Sequence, residues 1–182
     1  MLYILRHGQT DWNVLKKLQG QTDIPLNEAG RAMAAEAGRR YADIHLDVCF
    51  CSPLVRARET AALFLTGRDV PVRCDERLRE MRFGACEGAE NAAEHPECPA
   101  WAFFRDPERY RPAEGGETFD ALYARTGGFL AEVVDPLLAE DRDVLIVGHG
   151  AMNASIINRV RGIPLSRFWE SVTPNCELVR LK

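Results

Sequence analysis

Two short segments concentrate groups that could handle an anion. Arg6-His7-Gly8-Gln9-Thr10 follows directly on the apolar run 2–5, and Val147-Gly148-His149-Gly150-Ala151 closes the run 144–147. Both read as strand, polar turn, then helix, with glycines beside the histidine. Open α/β sheets bind ligands at such strand ends, and a following helix offers free N–H groups to a negative charge. One histidine in this setting reads as a hydrogen-bonded turn residue. Two of the chain's four in matched settings read as two sides of one site, whereas His45 and His95 lack that context and are assigned surface or structural roles. A third segment, Cys51-Ser52-Pro53-Leu54-Val55-Arg56-Ala57-Arg58, places two arginines early in a helix. Spaced two apart, they point to different faces, so only one enters a shared pocket. The fourth, Leu78-Arg79-Glu80-Met81-Arg82-Phe83-Gly84-Ala85-Cys86-Glu87-Gly88, supplies Glu80 and Glu87, either of which could give a proton if held in a pocket.

These groups need elements to hold them. Strand-like runs at 2–5, 46–51, 70–74, 144–147 and 177–181 alternate with helical patterns at 28–42, 53–66, 119–139 and 152–160. That alternation predicts an α/β three-layer sandwich, with a largely parallel central sheet and helices on both faces. Asn27 is a good N-cap, and Ser52-Pro53 sets a capping hydroxyl before a proline at the first helical position. The long pattern from Phe119 contains Gly127-Gly128 and reaches Asp135-Pro136, so a kink or interruption is expected. Segment 86–113 differs in texture, mixing four prolines with Trp101, Phe103, Phe104 and Tyr110 and with Arg105, Arg109 and Arg111. It reads as a variable excursion covering the site, inside one domain spanning 1–182.

The 182 residues carry 23 Lys+Arg against 27 Asp+Glu, a formal charge of −4, with 46% hydrophobic and 27% charged residues. That balance fits a globular protein and argues against nucleic acid or a membrane surface as partner. Only three of the basic residues are lysines, and guanidinium is the fork that suits oxyanions. No apolar run reaches a membrane span, and no leader pattern opens the chain, so a cytoplasmic protein with free thiols is expected. The six cysteines form no C-x-x-C pair or zinc-type cluster, and Cys49 and Cys51 would share one sheet face as core thiols.

Taken in order, these segments resemble the histidine phosphatase superfamily, the phosphoglycerate-mutase-like group. The R-H-G-[EQ]-T opening, the S-P-L-x-R-A-x-x-T-A helix, the L-x-E-x-x-F-G-x-x-E-G loop and the late G-H-G are all present. Gly20, Asp23, Pro25, Leu26 and Gly30 match a G-x-x-D-x-P-L-x-x-x-G stretch, and Gly116-Glu117-Thr118 a G-E-[ST] element. The match covers most of the chain outside 86–113. Cys86 stands where many relatives carry an aromatic residue, and Met33 replaces a frequent glutamine.

The resemblance implies a phosphomonoesterase acting on a small phosphorylated metabolite. His7 would be the nucleophile, forming a phosphohistidine. Arg6, Arg56 and His149 would surround the phosphate, and Asn13, Thr22 and Gly150 would bind phosphate or substrate. Glu80 would protonate the leaving oxygen and then activate water. The implied cycle uses no metal and no cofactor. A mutase is the alternative. Family mutases carry a longer insertion after the acid loop, an E-R-x-Y-G sequence and paired arginines. Here thirty-seven positions separate Glu80 from Glu117, without an Arg-Arg pair, which favours hydrolysis. A non-catalytic phospho-ligand module would typically lack His7 or Glu80, and both are present. Trp101–Arg111 either contacts a ring-bearing or apolar leaving group or closes a local core. Sugar phosphates, phosphoglycerate-like acids, nucleotides and α-ribazole 5′-phosphate remain as substrate candidates.

Overall fold

Strands β1 (Leu2–Arg6), β2 (Val48–Cys51), β3 (Val72–Cys74), β4 (Val144–Gly148) and β5 (Leu178–Arg180) form one sheet in the order β3-β2-β4-β1-β5. This is a computed structural model describing residues 1–182. The first four strands in that order pair in parallel, and β5 runs antiparallel to β1. β2 and β4 are buried throughout, and β1 is apolar and buried up to Arg6 at its end, as strands covered on both faces must be.

Alternation along those strands makes the two cores. Leu2, Ile4, Val48, Phe50, Val144 and Ile146 face one way; Tyr3, Leu5, Cys49, Cys51, Leu145 and Val147 face the other. The second face is covered by α2 (Glu28–Arg40) and α3 (Val55–Phe64), through Ala34, Ala37, Ala57, Ala61 and Phe64. The first is covered by α5 (Phe119–Phe129) and α7 (Gly150–Arg161), through Leu122, Phe129, Met152 and Ile156. The short helices are α1 (Asp11–Val14), α4 (Trp101–Arg105) and α6 (Asp135–Ala139). The α/β sandwich read from the sequence is therefore present, with Cys49 and Cys51 as buried free thiols on one face. No helix is long and apolar enough to cross a membrane.

Asn27 caps α2, its side chain accepting from Gly30 N at 2.8 Å. The Ser52-Pro53 helix start is displaced. Helix α3 begins at Val55, its N-cap Leu54 supplies no side-chain bond, and Asp23 reaches in to accept from Val55 N at 2.7 Å. Ser52 Oγ accepts from Leu54 N at 3.3 Å, ahead of the helix, and also meets His149. The expected interruption after Phe119 is a π-turn, Leu130–Val134, which lets Pro136 enter the first turn of α6, where its missing N–H costs nothing. Segment 86–113 folds into short pieces whose Ala92, Ala100, Phe103 and Tyr110 join the core of the first face.

Candidate active site

Arg6 and Gly148 are register partners at the carboxyl ends of β1 and β4, so the next residues, His7 and His149, emerge side by side. Their ring centroids lie 5.2 Å apart, and His7 N donates to Gly148 O at 2.9 Å. The turn after His7 is clamped to α2: a Cβ on Gly8 would lie 2.4 Å from Gly30 O, so no side chain fits there. His7 is buried, and its Nδ1 lies 2.7 Å from Gly8 O, a pure acceptor. Nδ1 therefore carries the hydrogen, and the lone pair is on Nε2. Burial lowers the His7 pKa well below the ordinary range, and the charges of Arg56 and then Arg6 lower it further, so the ring is neutral near pH 7.

Arg56 is fully buried on α3 and bonds only neutral acceptors. Its Nε donates to His149 Nδ1 (3.2 Å), Nη1 to Thr22 O (2.9 Å) and Nη2 to Gly20 O (2.7 Å). Burial brings its pKa down to about 10, still charged at neutral pH. Because His149 Nδ1 accepts from Arg56, a neutral His149 carries its hydrogen on Nε2 and donates it to Ser52 Oγ at 2.7 Å. Burial, then Arg56, lowers the His149 pKa well below the ordinary range. Both its nitrogens are engaged, so His149 braces Arg56 and packs beside His7 without being one of the residues that line the cavity. Arg6 donates through Nη1 to Thr173 O at 2.9 Å, and its buried Nε has no partner. Burial lowers its pKa, with Glu80 opposing.

The Glu80 carboxylate sits on the N-terminus of α7. Oε1 accepts from Met81 N (2.8 Å) and Met152 N (2.9 Å), and Oε2 from Ala151 N (3.1 Å). The helix dipole and these N–H groups hold it in place. Its backbone carbonyl is fixed by Gln21 Nε2 and by Arg125, which is itself paired with Glu117 at 2.7 Å. Of the first α7 amides, Gly150 N–H is the one aimed at no protein acceptor, and Gly150 lines the cavity. Glu87, the other proton-donor candidate, is a clamp. Oε1 accepts from Gln21 N (3.0 Å) and Phe83 N (3.1 Å), and Oε2 from Thr22 N (2.9 Å) and the Thr22 hydroxyl. Thr22 is accordingly corrected: its hydroxyl is held by Glu87, its carbonyl by Arg56, and it is not among the residues that line the cavity beside His7. Asn13 does line it, with Oδ1 capping α1 through Thr10 N (3.0 Å) and Nδ2 left over.

These groups close the inner end of a cavity of about 290 Å³. Arg6, His7, Asn13, Gly20, Arg56, Glu80 and Gly150 form that end, and Trp12, Phe83, Phe103, Phe104 and Trp169 form much of the outer wall. Trp101 is not part of the wall; Phe103 and Phe104 from the same segment are, and Phe103 is also core. Cys86 is buried in the core and leaves the wall to its neighbours. Sequence reasoning missed Gln19, Trp12 and Trp169. Gln19 adjoins Gly20, already singled out, and is 9% exposed with Oε1 unpartnered. Trp169 comes from the 3₁₀ segment Leu165–Ser171 and carries no local signal. One cluster able to gather around a cation, His45, Asp47 and Asp143, lies at the opposite, amino ends of β2 and β4. There Asp143 pairs with the N-terminal amine (2.7 Å) and Asp47 with Arg142 (3.2 Å).

The sequence model of the histidine phosphatase superfamily (branch 1) matches residues 2–182. The chain is 35% identical over 156 residues to the 2,3-bisphosphoglycerate-dependent phosphoglycerate mutase 2 of Gloeobacter violaceus, covering 82% of this chain and 70% of that one. It is 34% identical over 159 residues to the uncharacterized phosphatase PhoE of Bacillus subtilis, covering 87% and 76%. Among solved structures, Bacillus stearothermophilus YhfR superposes with a TM-score of 0.86 at 33% identity, covering 97% of this chain and 88% of that one.

Proposed function

The chain belongs to the histidine phosphatase superfamily (branch 1), and we propose that it hydrolyses small phosphomonoesters through a phosphohistidine on His7. One observation carries this reading. A neutral histidine with a free Nε2 shares the closed end of a cavity with two arginines, Arg56 fully buried and Arg6 partly so, that make no ion pair. Buried cations without a counter-ion favour an anion, and a phosphoryl dianion meets both forks at once.

The chemistry follows from the atoms. The Nε2 lone pair attacks phosphorus; the P–N bond forms as the P–O ester bond breaks, and protonated Glu80 delivers its proton to the leaving oxygen. The imidazolium so formed keeps its Nδ1–H on Gly8 O, the bond that already orients the ring. In the second step, Glu80 takes a proton from water, the water oxygen attacks phosphorus, and the P–N electron pair returns to Nε2. Arg6, Arg56, Asn13 and the Gly150 N–H stabilise charge on the equatorial oxygens, which is most of what phosphoryl transfer asks of a protein. No step is routed through a metal. Segment 86–113 is assigned as the cover, since Ala92, Ala93, Glu94, Phe103 and Phe104 line the cavity.

The mutase relative favours a second reading, in which His7 hands its phosphoryl group to a phosphoglycerate. Against it, the cover's arginines turn elsewhere. Arg105 donates to Ala93 O, Arg109 pairs with Asp106, and Arg111 donates to Tyr110 O, so none offers a cation to a substrate carboxylate in the cavity. Alkaline quench of the protein mixed with a phosphorus-labelled ester should trap acid-labile label on the wild type and none on His7→Ala. Incubation with 3-phosphoglycerate and a bisphosphate primer should release phosphate. Rapid 2-phosphoglycerate formation without that release would establish the mutase.

A further inference from the structure

Past the phosphate end, the cavity changes character. Phe103 meets Phe83 (4.7 Å between centroids) and Trp169 (4.8 Å) edge-on, and Phe104 stacks on Trp169 at 5.1 Å with the planes 22° apart. Trp169 Nε1–H is already given to Phe103 O at 2.8 Å and one indole face is covered by Phe104, so the indole has no donor to offer. The rings of that wall therefore offer no free donor, and Gln19, with Oε1 unpartnered, is a polar side chain left over among the lining residues.

The rim is charged but balanced. The lysines at the mouth are Lys16 and Lys17, and each faces a carboxylate from the cover: Lys16 with Glu94 at 3.9 Å and Lys17 with Glu90 at 3.4 Å. Glu94 itself borders the cavity. Two of the three exposed large apolar side chains, Val14 and Leu15, lie in sequence between the lining residues Asn13 and Lys16.

From these observations, and resting on the phosphatase reading above, we propose that the leaving group is an uncharged, ring-bearing alcohol seated against Phe83, Phe104 and Trp169. A second phosphate or a carboxylate would meet no spare cation there and would face Glu94. A sugar could bond Gln19, but each hydroxyl turned toward the rings would go unbonded, a penalty apolar groups avoid. A flat ring meets aromatic faces in the edge-on and offset contacts they favour. Size sets the upper bound: about 290 Å³, shared with the phosphoryl group, lies at the small end of ligand pockets. That leaves room for a single or fused ring inside the cavity, with anything larger reaching out through the open mouth.

Alkyl esters isolate recognition from leaving-group chemistry, so the test compares 2-naphthylmethyl phosphate with n-propyl phosphate, glucose 6-phosphate and 3-phosphoglycerate. The naphthylmethyl ester should lead each of the others in kcat/KM by about tenfold or more, the equivalent of about 1.4 kcal/mol. Trp169→Leu, which keeps apolar volume but removes the ring, should shrink the naphthylmethyl-to-propyl ratio. Equal or better turnover of glucose 6-phosphate or 3-phosphoglycerate overturns the proposal, as does a ratio that Trp169→Leu leaves unchanged. Calorimetric titration with 2-naphthylmethylphosphonate and propylphosphonate separates the two readings if no ester turns over. Preference for the aryl phosphonate keeps the ring site and removes the phosphatase; equal binding removes both.

Discussion

Glu87 stands outside the cavity, yet the position of Arg56 depends on it. Its carboxylate gathers Gln21 N, Thr22 N, the Thr22 hydroxyl and Phe83 N, and so fixes the loop whose Gly20 and Thr22 carbonyls hold the two terminal nitrogens of Arg56. Glu87→Gln keeps the shape and halves the acceptor oxygens. The best arrangement leaves the amide oxygen on Gln21 N and Phe83 N and turns the NH₂ toward Thr22. The Thr22 hydroxyl then reverses to accept, and Thr22 N–H faces a donor. That one orphaned, part-buried N–H costs about 1–3 kcal/mol. For a chain of this length the melting temperature should fall by about 2–12 °C. The catalytic consequence is separate: as the loop relaxes, its carbonyls and the guanidinium shift together. A displacement of about 1 Å costs up to about 100-fold, so kcat/KM should fall about 10–100-fold at temperatures well below melting. Inhibition by inorganic phosphate, which reads the guanidinium directly, should weaken in parallel. Thr22→Val, which removes one of the four bonds and leaves both carbonyls in place, should lose much less. If Glu87→Gln melts earlier but keeps wild-type kcat/KM and phosphate inhibition, Glu87 only stabilises the fold and the link to Arg56 is wrong.

His7 and His149 are both buried with lowered pKa values, while in the unfolded chain they titrate near about 6.5. Below that pH the unfolded state binds more protons, so stability should be flat above about 6.5 and decline as pH falls toward the folded-state values. Denaturant titrations across that range should show proton uptake on unfolding that approaches two, reduced by about one in His149→Gln; a flat profile would refute it. Gly8→Ala would place a Cβ 2.4 Å from the Gly30 carbonyl oxygen and should cost about 1–3 kcal/mol or more. Gly150→Ala meets Glu80 Oε2 at 3.6 Å and Arg6 Cζ at 3.7 Å, ordinary contacts, and should melt like the wild type; equal melting of both variants would contradict the clamp at Gly8. Exhaustive chelation should leave turnover intact, and a loss restored by adding a divalent cation would sink the metal-free cycle.

The parts of this molecule legible in the sequence are those with a local signal. Strand runs, the Asn27 cap and the two histidines at strand ends each announce themselves within about ten residues, and β1 and β4 then pair as neighbours. Residues whose position is set by a distant partner were misjudged. Ser52 reads as the cap, but its hydroxyl reaches only Leu54 N and is shared with His149, nearly a hundred positions away, while Asp23 accepts from Val55 N at the first helical residue. The resemblance offers Thr22 as a phosphate or substrate ligand, but its hydroxyl is held by Glu87. Trp169 enters the cavity wall from a 3₁₀ segment with no pattern of its own, because Phe103 O accepts its N–H. Local chemistry thus identifies which segments converge, and long-range bonds decide which side chain of each segment faces inward.

Those same bonds explain how an acidic chain keeps a basic pocket. Outside the site, arginines are commonly neutralised by contact: Arg31 with Glu59, Arg77 with Asp75 and Glu132, Arg125 with Glu117, Arg167 with Glu170. Arg56 feels Glu80, Asp23 and Glu87 through space, yet pairs with none of them. Each of the three is occupied by backbone N–H groups: Glu80 by Met81, Ala151 and Met152, Glu87 by Gln21, Thr22 and Phe83, Asp23 by Val55. A carboxylate held this way cannot collapse onto the guanidinium, because it would strand the amides it leaves behind. It nevertheless lowers the cost of burying the charge. Arg56 is thereby kept charged, oriented by carbonyls and an imidazole, and open to a further anion. Total charge is silent on this, since the same residues would count identically if they had paired.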